Sequence, residues 1–85
     1  MSRFYLESFF FLNRFRRSGY GGPEPLEFSE IRTYAETIGL KGTESVTFFA
    51  DILAGLDEVY LTYMREKKAE MEKAEAMKRK HAARR

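Results

Sequence analysis

The sequence predicts an all-α fold: a small three-helix domain over residues 1–64, whose last helix runs into a charged helical or frayed tail over residues 65–85. Three observations carry this. Apolar residues recur at helical spacing in three separate stretches, and glycine and proline fill the main break between them. The segment from Arg65 onward has no leucine, isoleucine, valine or aromatic residue. At 85 residues the chain has room for one domain. It contains no cysteine, so neither disulfides nor a thiolate zinc site supplement the core.

The first helix is expected over residues 3–17, with Ser2 as N-cap and Arg14, Arg16 and Arg17 set against the negative end of the helix dipole. Its apolar residues are Phe4, Tyr5, Leu6, Phe9, Phe10, Phe11, Leu12 and Phe15. Successive helical residues point roughly 100° apart, so Phe9, Phe10 and Phe11 do not face one neighbour. Part of this helix is expected to meet a second surface in an oligomer, a partner or a lipid interface, with Phe4, Phe9, Phe10, Phe11 and Phe15 as partner-binding residues.

Residues 18–27 hold three glycines and two prolines and read as a loop. The second helix is expected over 29–38, capped by Ser29 and stopped by Gly39, with Phe28, Ile31, Tyr34, Ala35 and Ile38 at steps of three and four. Thr43 is the expected cap of a third helix over 44–64. There Val46, Phe49, Leu53, Leu56, Tyr60 and Met64 form one stripe, and Phe48, Ile52, Val59 and Tyr63 widen it on a flank. Gly55, inside this helix, costs about 1 kcal/mol relative to alanine and suggests a close helix contact or a bend.

Asp57 falls within the apolar stripe, where an ionised carboxylate is costly unless paired or hydrogen-bonded. Its expected partners are the N-terminal N–H groups of the second helix, the Tyr34 hydroxyl and Arg32, an arrangement that pins the second helix to the third.

Net charge is +2, but it is unevenly distributed. Residues 1–17 carry four basic groups and one acid, 18–64 two and eight, and 65–85 nine and four. Lys78, Arg79, Lys80, Arg84 and Arg85 are thus candidate contacts for an acidic protein or for phosphates. Interleaved glutamates and the lack of an aromatic stacking motif favour the acidic protein or a solubilising extension.

Nothing in the sequence builds a catalytic, cofactor or metal site. His81 is the lone histidine and sits in the basic tail. Gly19-x-Gly21-Gly22-Pro23 follows a helix and matches neither the dinucleotide fingerprint nor a Walker loop. A non-enzymatic protein is expected. Glu7 interrupts the apolar opening, and no apolar run approaches the ~20 residues of a membrane span, so a cytoplasmic protein is expected.

The arginine-rich helix end, Gly21-Gly22-Pro23-Glu24-Pro25-Leu26, Ile31-Arg32-Thr33-Tyr34-Ala35, Gly39 and Asp57-Glu58-Val59-Tyr60-Leu61 together resemble small tail assembly chaperone proteins of tailed bacteriophages. In that pattern a Gly-Pro-x-Pro loop leads into an Ile-x-x-Tyr-Ala helix, and a later helix carries Asp-x-x-Tyr-Leu. The resemblance implies an assembly role, binding tape-measure or tail-tube protein before it polymerises, as an oligomer or transient complex. It marks Pro23, Pro25, Ile31, Tyr34, Asp57 and Tyr60 as structural positions. The alternatives are a structural virion component, a nucleic-acid-binding module using Arg14, Arg16, Arg17 and the tail, and a membrane-surface helix.

Overall fold

A computed structural model describes residues 2–83. The chain is mostly helical, in the order α1 (Arg3–Asn13), β1 (Ser18–Gly19), β2 (Gly22–Pro23), α2 (Phe28–Thr37) and α3 (Thr43–Ala83).

Ser2 starts α1 as expected, its hydroxyl oxygen accepting the Phe4 N–H at 3.3 Å. The helix stops four residues before its expected end. Past Asn13 the backbone tightens into i→i−3 bonds, Phe15 N–H to Leu12 C=O at 3.0 Å and Arg16 N–H to Asn13 C=O at 3.2 Å. Arg16 and Arg17 therefore lie beyond the helix rather than in its last turn.

The expected loop over 18–27 contains a small antiparallel ladder, with Ser18 opposite Pro23 and Gly19 opposite Gly22. Gly22 takes φ 104°, a conformation open to glycine at little cost, and the Glu24 N–H closes on Arg17 C=O at 2.9 Å. The fully exposed Tyr20 marks the hairpin tip.

Helix α2 begins one residue before Ser29. Glu27 occupies the N-cap position without a side-chain cap bond, and Glu30 lies in the first turn, where the helix dipole favours an acid. Its end follows the sequence closely. Gly39 has φ 91°, Leu40 N–H donates to Ala35 C=O at 2.9 Å and Gly39 N–H to Glu36 C=O at 3.1 Å, the paired bonds of a Schellman stop. Thr43, expected as a cap, is the first residue of α3.

The core is formed by Phe9 and Leu12 of α1, Ile31 and Ala35 of α2, and Phe49, Ala50 and Leu53 of α3. Tyr5, Leu26, Tyr34, Leu40, Val46, Leu56 and Tyr60 pack around it. All core residues of α3 precede Asp57, yet the helix continues for 41 residues in total. At 1.5 Å per residue that is about 60 Å, and the molecule measures 65 × 25 × 16 Å. Residues 65–82 are exposed throughout and extend away from the packed end. No described helix is long and apolar enough to cross a membrane.

Candidate protein-binding site

The site rests on a buried junction between elements distant in sequence. The side chains of Arg16 and Asp57 form an ion pair, at 5% and 7% exposure respectively. Asp57 Oδ1 accepts from Arg16 Nη2, and Oδ2 accepts the Leu26 N–H at 3.0 Å. Arg16 Nη1 donates to the Glu24 C=O at 2.8 Å and Nε to Asn13 Oδ1 at 2.6 Å. The guanidinium carbon lies 4.5 Å from the Tyr60 ring centroid and 5.9 Å from that of Phe9. A planar five-donor group satisfies this enclosure in a way an ammonium does not.

This corrects the expected partners of Asp57. Arg32 instead lies 3.9 Å from Glu36, and the Tyr34 ring stacks between Phe11 at 5.2 Å and Phe49 at 6.1 Å. The N–H that Asp57 receives comes from Leu26, two residues before α2, so the carboxylate holds the approach to that helix and the end of α1. The junction also removes Arg16 from any phosphate-binding surface. Arg17 remains exposed but faces Glu27 at 3.3 Å and Glu30 at 3.6 Å.

The five phenylalanines named as partner-binding residues separate into different environments. Phe9 is in the core, edge-on to Tyr60 at 5.9 Å, and offers no surface. Phe4 is partly covered, with its ring 5.7 Å from Phe49. Phe10 is exposed, with its ring 6.0 Å from that of Phe9. Phe11 and Phe15, 43% and 64% exposed, lie 5.4 Å apart and line an open groove of about 580 Å³ between α1 and α2. Tyr34, Thr33 and Thr37 form its other wall, and Arg17 and Glu30 lie at its edge. The threonine hydroxyls are occupied along α2, Thr33 Oγ1 donating to Ser29 C=O and Thr37 Oγ1 to Thr33 C=O, each at 2.8 Å. The groove therefore presents mainly ring faces and methyl groups.

The positions marked as structural are dispersed, with Tyr34 in the groove and Asp57 in the junction. Ile31 is buried, Tyr60 covers Arg16, and Pro23 and Pro25 line a cleft of about 350 Å³ with Leu61 and Met64. Lys78, Arg79 and Lys80 are exposed on the far end of α3, with Arg79 4.0 Å from Glu75. Arg84 and Arg85 lie outside the described residues.

The sequence reading missed Arg16 as the partner of Asp57, and with it Asn13 and the Glu24 carbonyl. One signal was present: in the helix expected over 3–17, helical phase puts Arg16 on the face that carries Phe9 and Leu12, where a charge needs a counter-ion. Compared with known protein families, curated proteins and solved structures, the chain matches none.

Proposed function

We propose that the protein acts by protein–protein binding rather than catalysis, as a tail assembly chaperone in bacteriophage morphogenesis. In this reading the three helices are a small scaffold, and the client is the tape-measure or tail-tube protein. The observation that carries the binding role is the groove between α1 and α2, where Phe11, Phe15 and Tyr34 leave a continuous aromatic surface open to solvent. Such a surface fits an apolar segment that a client exposes before assembly, since exposed aromatic patches of this kind mark interaction sites. The phage assignment rests on the loop and helix motifs around Pro23, Tyr34 and Asp57. Engagement of an acidic surface by the exposed Lys78, Arg79 and Lys80 is a further part of the same proposal.

The test is co-purification of the full chain with phage tape-measure and tail-tube proteins. Capture of one of them, lost on Phe15→Glu with helical content unchanged, is the expected result. Absence of binding to either, or binding unaffected by Phe15→Glu, overturns the proposed site.

A further inference from the structure

Part of one wall of the α1–α2 groove is not held by a helix. Helix α1 ends at Asn13, so Phe15 and Arg17, which line the groove, sit on backbone beyond it. The Phe15 ring is largely exposed and meets Phe11 at 5.4 Å. So few contacts do not fix the backbone that carries it. Arg16, between these two residues, points the other way, into the buried junction. Where Arg16 is anchored, Phe15 and Arg17 are placed.

The two oxygens of Asp57 divide between the two walls. Oδ1 accepts from Arg16 Nη2, at the centre of the Phe15–Arg17 segment, and Oδ2 accepts the Leu26 N–H at 3.0 Å. Leu26 stands two residues before α2, which carries Ser29, Glu30, Thr33 and Tyr34 of the groove. Asp57 itself lies outside the groove lining, on α3, against which both other helices pack. Arg17 also crosses between the walls, to Glu27 and Glu30, but exposed ion pairs of that kind contribute little.

We propose that Asp57 is the positioning residue of the groove: one carboxylate, buried behind it, sets the spacing of its two walls. This rests on reading the groove as the binding site. A client segment then meets walls already in place, and the affinity that such preorganisation supplies is lost when the walls drift apart. Asp57 acts on binding without touching the client. Asn13 acts on one wall alone, since its Oδ1 accepts from Arg16 Nε at 2.6 Å while the Leu26 bond is independent of it.

The spacing is measured without any client. The chain has no cysteine, so nitroxides attached through Phe15→Cys and Thr33→Cys, on opposite walls, report the width of the groove by electron paramagnetic resonance. A narrow distance distribution is expected with Asp57 in place. Asp57→Asn is expected to lengthen and broaden it with a cooperative melt retained. Leu53→Val, a change in the core of α3 that leaves both Asp57 bonds in place, is expected to lower the melting temperature and keep the distribution narrow. An unchanged distribution in Asp57→Asn, or equal broadening in Leu53→Val, overturns the proposal. Should Asp57→Asn fail to fold, Asn13→Ala replaces it with the same expected direction, and an unchanged distribution there overturns the proposal equally. In co-purification without nitroxides, Asp57→Asn is expected to lose a client that Leu53→Val retains. If the wild type captures no client, the reading of the groove fails, while the distances still decide whether Asp57 sets its width.

Discussion

Arg16 and Asp57, 41 positions apart, meet as a buried ion pair that joins the end of α1 and the approach to α2 to the middle of α3. The pair concentrates three connections in one place. Arg16 also binds the Glu24 carbonyl, and Asp57 also binds the Leu26 N–H.

Removing one member strands the other charge in the interior. Asp57→Ala is expected to lower stability by about 3–5 kcal/mol, the range for breaking a buried pair, read by urea denaturation. Arg16→Met is expected to be comparably damaging, and the double variant Arg16→Met/Asp57→Leu less so than the sum of the singles. Additive losses count against a coupled pair.

The glycines of the helical segments divide by backbone conformation. Gly39→Ala places a β-carbon at φ 91° and is expected to destabilise by about 1–2 kcal/mol. Gly55→Ala, in helical backbone with open space around it, is expected to stabilise the isolated chain by up to about 1 kcal/mol. Thermal melts of the dilute protein distinguish the two directions.

Phe9 and Phe15 differ by six positions and by role. Phe9→Ala empties a buried site and is expected to cost about 3–5 kcal/mol. Phe15→Ala, on a 64% exposed ring, is expected to change stability by about 0.5 kcal/mol or less, while weakening client capture. Comparable stability losses in denaturant titrations contradict this division.

The far end of α3 contributes helix but no core. Truncation after Lys68 is expected to leave the melting temperature of the packed end within a few degrees of the full chain. Helical circular dichroism per molecule is expected to fall with the loss of the exposed segment. A large drop in melting temperature shows that the tail folds back.

Much of the local structure was legible in the residues. Gly39 announced the end of α2 because only a left-handed residue completes the Schellman bonds to Ala35 and Glu36. Periodicity placed Phe49 and Leu53 on the buried side of α3 and Ile31 and Ala35 on that of α2. The end of α1 was not legible, because continued helix propensity past Asn13 loses to the hydrogen bonds that Arg16 makes elsewhere. The ladder around Gly22 was hidden for a similar reason: glycines and a proline mark a turn without stating which backbone groups will pair across it. For the candidate site, the aromatic content of α1 pointed to a binding surface but did not distinguish Phe9 from Phe15.

The sequence by itself determined the mostly helical character, the existence of a glycine- and proline-rich break between α1 and α2, the stop of α2 and the lack of core residues beyond Arg65. These follow from side-chain periodicity and backbone restriction, which act over a few residues. Tertiary structure alone decided that Asp57 is held by Arg16 and the Leu26 N–H, that Phe9 is core, and that Phe11, Phe15 and Tyr34 share one groove. Helical phase gives the direction in which a side chain points. The neighbour it meets depends on how the helices cross, and that is set by the packing of all three together.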